Sequence, residues 1–259
     1  MLRPRIIPCL LVHDKGLVKT VQFSSPKYVG DPINAVRIFN EKEVDEIMIL
    51  DIDATTNGNE PDYKMIENLA AECRMPLCYG GGVKTVDQAQ RIFSLGVEKV
   101  AISSAGVNNP TLIAEIGSRV GSQSIVVVLD VKKSNSGIYE IWTNNGKKNT
   151  GKDAIAFTKQ LESFGAGEVV INSIDNDGQM KGYDMDLVHF IRESTHLPLT
   201  ILGGAGKLED IGALIAKYGI IGASAGSLFV FKGVFRAVLI NYPDQQLKST
   251  LIKQSMKMN

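Results

Sequence analysis

No apolar run in this 259-residue chain approaches the roughly 18 residues that a membrane-crossing helix requires. Cysteine is scarce: Cys9, Cys73 and Cys78 are an odd number and make no disulfide framework, which points to a reducing compartment such as the cytoplasm. Cys73 and Cys78 have no second pair to complete a zinc site. The three histidines, His13, His189 and His196, have no ligand spacing, so neither a metal nor another cofactor is expected. Excess charge is also missing, with 28 Lys plus Arg against 28 Asp plus Glu. That balance argues against a general nucleic-acid binder. The opening MLRPRIIPCLLV reads as a strand without a small-residue cleavage site, so no secretion signal and no membrane partner are expected.

What the chain has in quantity is glycine, 25 residues in clusters, and short β-branched runs alternating with amphipathic stretches. Strands are predicted at 5–12, 46–52, 76–79, 99–103, 124–131, 168–172, 198–202 and 220–223. Helices are predicted at 31–43, 62–72, 85–95, 110–118, 153–164, 184–193, 208–217 and 234–240. Apolar residues spaced as in Ile33, Val36 and Phe39, or Ala89, Ile92 and Phe93, mark a helix face. Pro32 and Pro110 suit a first helical turn, and Gly96 and Gly165 suit a helix stop. Strands apolar on both faces belong to parallel sheets. Eight such units predict an α/β chain closed as a (β/α)8 TIM barrel; a doubly wound open sheet is the rival. One domain is expected over 1–259, with half-barrels at about 1–120 and 121–240. The polar tail 241–259 is expected to fray in part. Segment 132–150 is too long for an ordinary connection, and its Asn144-Asn145-Gly146 predicts a hairpin over the barrel top. Trp142 there either caps a site or anchors the hairpin.

The halves echo one another. VDEIMILDID at 44–53 matches AGEVVINSID at 166–175, and MPLCYGGGVKT at 75–85 matches LPLTILGGAGK at 197–207, both 122 residues apart. Each half places a glycine turn after its third strand, at Gly80-Gly81-Gly82 and Gly203-Gly204. Each places a serine turn after its fourth, at Ser103-Ser104-Ala105-Gly106 and Ser224-Ala225-Gly226-Ser227. Such turns followed by helix starts suit phosphates or other anions, two per ligand here. Tight turning alone is the other reading.

Barrel chemistry sits at the C-terminal ends of strands. Asp130 ends strand five. Its counterpart by repeat, at the end of strand one, is Leu11, which carries no proton. Asp14, three residues on, is the only nearby substitute. Asp51, Asp53, Asp175 and Asp177 also fall at strand ends, where Asp175 and Asp177 either orient a ligand near the second anion site or cap the loop. At the opposite end Arg5, Glu46, Lys99 and Glu168 ring the floor. They make either a structural ion-pair ring or a gate for a small neutral molecule.

The motifs RIIPCL, GDP at 30–32, LDID, YGGGVKT, VEKVAISS, INSIDNDG and GGAG resemble, over nearly the whole chain, the cyclase subunit of imidazole glycerol phosphate synthase of histidine biosynthesis. The resemblance implies a class I glutaminase-like partner on the barrel bottom and an ammonia gate at Arg5, Glu46, Lys99 and Glu168. It also implies a ligand with two phosphate ends, and phosphate contacts from Lys19, Gly81, Gly82, Ser103, Ser104, Asp177, Gly203, Gly204, Gly226 and Ser227. The family's two catalytic aspartates correspond to Leu11 and Asp130, so one is lost, and Ser103 stands where asparagine is usual. The stretch LLVHDKGLVKTVQFSSPKYVGDPINA is similar to a divergent cyclase-like group from surface-polysaccharide clusters. That likeness implies ammonia supply to an ATP-dependent sugar amidotransferase that forms an acetamidino group. The alternatives are an authentic cyclase, with Asp14 in the missing role, and a purely structural partner of a glutaminase.

Overall fold

The computed structural model describes residues 3–257. Eight parallel strands carry the architecture: β1 (Arg5–His13), β4 (Ile47–Asp51), β5 (Leu77–Gly80), β6 (Lys99–Ile102), β7 (Ile125–Lys133), β10 (Glu168–Ser173), β11 (Leu199–Leu202) and β12 (Gly222–Ala225). They are hydrogen-bonded in the order β10-β11-β12-β1-β4-β5-β6-β7, and β7 pairs back onto β10 over six registered residue pairs. The sheet is therefore closed, and the fold is a (β/α)8 barrel. The open-sheet alternative is excluded by that last pairing.

Seven of the eight predicted helices form. They are α1 (Pro32–Glu41), α2 (Tyr63–Glu72), α3 (Val86–Ser94), α5 (Thr111–Val120), α6 (Ala154–Leu161), α7 (Met185–Ser194) and α8 (Leu208–Tyr218). Local chemistry fixes their starts. Asp31, Asp62, Asp153 and Asp184 each accept a hydrogen bond from a first-turn amide, and Thr85 forms a capping box with Gln88. Short helices α4 (Ser104–Asn108) and α9 (Ser227–Val230) follow the serine turns.

Side chains alternate along a strand, so each strand feeds two cores. Ile6, Leu10, Ile47, Ile49, Val127, Leu129, Val169 and Ile171 pack outward under the helices. Ile7, Cys9, Met48, Cys78, Ala101, Val126, Val128, Val170 and Leu202 form a second, separate cluster, with Leu11 and Leu50 against it. This second set fills the barrel interior. It lies between the charged floor and the mouth.

Two expectations are corrected. The predicted helix at 234–240 is a small hairpin, β13 (Phe231–Lys232) and β14 (Ala237–Val238), with its tip in solvent. Val234 and Phe235 there are 95% and 96% exposed, and a left-handed Gly233 starts the turn. The spacing of Val234, Phe235, Val238 and Leu239 imitates a helix face, but nothing is packed against it. The polar tail is ordered as α10 (Gln245–Met256), capped by Asp244. Lys248 of α10 is only 2% exposed and pairs with buried Asp45 at 2.8 Å. Residues 16–30, which the strand and helix patterns assign to no element, form a hairpin, β2 (Gly16–Val21) and β3 (Ser24–Gly30), continuing from β1. The hairpin expected within 132–150 is present as β8 (Tyr139–Thr143) and β9 (Lys148–Asp153). Asn144, Asn145 and Gly146 all take left-handed backbone at its turn. No helix among the described residues is long and apolar enough to cross a membrane.

Candidate functional site

The C-terminal ends of the barrel strands open into one cleft of about 1130 Å³, including space open to solvent. Lys19, Gly81, Gly82, Ser103, Ser104, Asp130, Asp177, Gly203, Gly204, Gly226 and Ser227 all line it, together with Leu11. The structure thus brings every residue named for ligand contact into one site. The two halves build it alike. Gly81 and Gly82 have φ of +123° and +74°, and Gly203 and Gly204, 122 residues later, +94° and +114°. A Cβ on Gly203 would lie 2.7 Å from the Ser173 carbonyl oxygen, so only glycine lets the chain turn here and leaves the cleft unobstructed.

Asp130 is the acid at the mouth. Burial pushes its carboxyl up to about 7, against the pull of a hydrogen bond that Asn172 Nδ2 donates to Oδ1 at 3.0 Å. Asp177 is also raised by burial, offset by the Thr20 hydroxyl (2.7 Å) and the Phe23 amide (3.2 Å) that donate to it. These bonds tie the β2–β3 hairpin to the opposite side of the mouth. Asp175 accepts from the Lys133 amide, and Asp51 from the amides of Asp53 and Ala54. Those acids therefore cap loops. Lys19 is buried, and its Nζ donates to the Cys9 carbonyl at 2.5 Å. Burial lowers its ammonium pKa, with Cys9 and Asp177 opposing.

Asp14 does not take the place left by Leu11. Its side chain is 87% exposed, and it lines a separate shallow depression with Asp51, Asp53, Glu60 and Asp62. There His13 Nδ1 lies 2.8 Å from Asp53, and that hydrogen bond raises the imidazole pKa. His13, Asp14 and Asp53 converge closely enough to hold an ion, a grouping that the sequence spacing concealed. Trp142 pairs with Asp130 across β7 and β8, yet it is not among the cleft residues. Its half-buried ring has the Lys132 ammonium 5.2 Å from its centroid, and Asn145 at the adjoining turn reaches the cleft instead.

At the floor, Arg5 bonds Glu46 and lies 2.7 Å from Glu168, while Lys99 lies 2.9 Å from each of the same two carboxylates. The Thr200 hydroxyl completes Glu168 at 2.6 Å, a partner the sequence reading missed. Burial works against all these charges. Even so, the two carboxylates hold the Arg5 and Lys99 pKa values above normal, and the two cations hold Glu168 below normal. The four charges form a closed alternating ring, directly beneath the apolar interior.

A closed barrel with its cleft at the strand C-termini and glycine turns duplicated across it defines a (β/α)8 protein with a two-fold repeated mouth. The chain belongs to the histidine biosynthesis protein family, whose model matches residues 5–236, and within it to the cyclase subunits of imidazole glycerol phosphate synthase. It is 57% identical over 254 residues to a putative imidazole glycerol phosphate synthase subunit of Vibrio vulnificus, covering 98% of both chains. A putative subunit of Pseudomonas aeruginosa is 50% identical over 94% of this chain and 97% of its own. An imidazole glycerol phosphate synthase subunit of Natranaerobius thermophilus is 39% identical over 93% of this chain and 96% of its own.

Proposed function

We propose that this chain is the barrel subunit of a glutaminase-coupled complex. It takes ammonia at the ring of Arg5, Glu46, Lys99 and Glu168, passes it through the apolar interior, and releases it at the cleft. Homology supports a cyclase-subunit function, and proteins of this family typically pair with a glutaminase subunit. The observation that carries the reading is the vertical arrangement: a paired charged floor, an uncharged interior, and the buried acid Asp130 at the exit.

The names of its relatives favour the histidine-pathway reaction, in which ammonia attacks a two-phosphate intermediate and cleaves it to imidazole glycerol phosphate and an aminoimidazole carboxamide ribotide. The duplicated glycine turns suit such a ligand. Leu11 favours a second destination. Without a second acid opposite Asp130, general acid–base catalysis loses one partner, a loss of about 10²- to 10⁴-fold. In that case the ammonia goes on to an ATP-dependent sugar amidotransferase that builds an acetamidino group.

The test is turnover of the two-phosphate intermediate with ammonium salts by the unaltered chain, by Leu11→Asp and by Asp130→Asn. Turnover that disappears in Asp130→Asn assigns the chain to histidine synthesis. No turnover, with partial recovery in Leu11→Asp, assigns it to delivery. A chain that neither turns over nor transmits glutamine-derived ammonia when paired with its glutaminase overturns the proposal altogether.

A further inference from the structure

The floor ring has a fifth member that carries no charge. Thr200 is fully buried, and its hydroxyl donates to Glu168 Oε1 at 2.6 Å. The same hydroxyl accepts from Arg5 Nη2 at 3.4 Å, and that nitrogen also donates to Glu168 Oε1 at 2.7 Å. Thr200 thus closes a triangle with one cation and one carboxylate of the ring. The neighbouring strand makes room for it. On β12, Gly222 pairs with Thr200 on one side and with Arg5 on the other. A Cβ at residue 222 would lie 1.8 Å from Thr200 Oγ1. Gly222 is not in the left-handed region, so space and not conformation demands glycine there.

The half-barrel repeat marks this arrangement as an addition. Glu46 and Glu168 match at the 122-residue offset, and so do Cys78 and Thr200. The registers agree. Cys78 pairs with Met48, two residues past Glu46, and Thr200 pairs with Val170, two residues past Glu168. On the next strand the halves part. Cys78 pairs with Lys99, whereas Thr200 pairs with Gly222. The first half sets a lysine at that place; the second removes the side chain and turns a hydroxyl into the space. A thiol is a weak donor. Among the described residues, Glu46 therefore has the two cations as its side-chain partners, while Glu168 has the same two and Thr200.

The difference bears on movement. Arg5 and Lys99 reach the ring on long flexible stems and keep 26% and 19% of their side chains exposed. Threonine is short and stiff at its first side-chain torsion. A cation that turns away takes its bond with it, and Thr200 stays. We propose that Thr200, seated in the space that Gly222 leaves, is a positioning residue of the floor: it fixes Glu168 and so keeps the ring closed while the cations fluctuate. This role rests on the ring being the entrance of the route proposed above. Besides Thr200, the groups around Glu168 are Arg5 from β1, Lys99 from β6, Glu46 across those two cations, and the Cys78 thiol from β5.

The test uses NMR of the full isotope-labelled chain and needs no acceptor substrate. The Glu168 carboxyl carbon is followed through pH. Exchange of the Lys99 ammonium and Arg5 guanidinium protons with water reports opening of the ring. In Thr200→Val, which keeps the shape and loses the hydroxyl, the Glu168 midpoint is expected to rise by about one pH unit and ring exchange to quicken about tenfold. Thr200→Ser is expected to restore both. If packing alone matters, Thr200→Val behaves as the unaltered chain and Thr200→Ser is the worse variant; either result overturns the proposal. Should Thr200→Val not fold, Thr200→Ala and Gly222→Ala decide it. The first removes the hydroxyl and the second drives it off Glu168, so an unchanged Glu168 midpoint in either overturns the proposal.

Failure of the anchor and failure of the route are separable. An unchanged ring in Thr200→Val, with glutamine-derived ammonia transmitted by the unaltered complex, removes the anchor and leaves the route. A loosened ring in Thr200→Val, with no transmission by the unaltered complex, removes the route and leaves Thr200 as the anchor of a closed floor.

Discussion

Asp130 shows how one residue's environment sets both stability and chemistry. Its folded pKa, about 7, lies above the ordinary carboxyl value of about 3.9. Between those values the folded chain binds the proton more tightly than the unfolded chain does. This group's contribution to stability is therefore full below about pH 4 and falls as pH rises through 7. Asp177 is raised by burial and adds the same sign, while Glu168, lowered by Arg5 and Lys99, contributes the opposite. Comparison with Asp130→Asn isolates Asp130. Urea unfolding at pH 5 and pH 8 is expected to show the variant losing less stability than the unaltered chain between the two. Equal losses would mean that Asp130 is not buried in solution as it is in the structure.

At the scale of elements, the parts that lie closest to the barrel were legible and the parts that lie on it were not. The eight strands announce themselves because they are buried on both faces, as in Ile125-Val126-Val127-Val128-Leu129. Asp31, Asp62, Thr85, Asp153 and Asp184 announce helix starts through their short polar side chains. The β2–β3 hairpin gives no such signal, since Ser24-Ser25-Pro26-Lys27-Tyr28 is exposed and held largely by Asp177, far away in sequence. The tail misleads for a related reason. Lys248 looks like a solvated lysine, but it is buried against Asp45, which also accepts the amide of Ile6 at 3.0 Å. Lys248→Ala is expected to cost about 3 kcal/mol, because it removes a partner from a buried charge. Thermal or urea unfolding checks this; a change under about 0.5 kcal/mol, typical of surface sites, would mean that α10 does not hold the N-terminal strand.

For the whole molecule, the sequence shows a symmetric scaffold better than it shows the departures placed on it. The 122-residue offset carries over to the paired glycine turns, each with the same left-handed backbone. The site's working asymmetry lies in residues the repeat does not match: Leu11 against Asp130, and Asn172, which the repeat aligns with Leu50. Asn172 went unnoticed because nothing in its type or spacing marks it. Only the closed barrel shows that it stands inward and donates to Asp130.

The apolar interior has one more property, which concerns time instead of geometry. Cys9 and Cys78 are buried inside it, and Cys73 is half-buried between α2 and β5. Burial raises all three thiols, Cys9 and Cys73 to about 11 and Cys78 well above its ordinary value. Reaction needs the thiolate and access to it. An alkylating reagent is expected to mark Cys73 first, and Cys9 and Cys78 only as fast as the closed sheet opens. Mass spectrometry of the labelled chain would then read two clocks from one sample. Early labelling of Cys9 or Cys78 would reveal a barrel that breathes without unfolding.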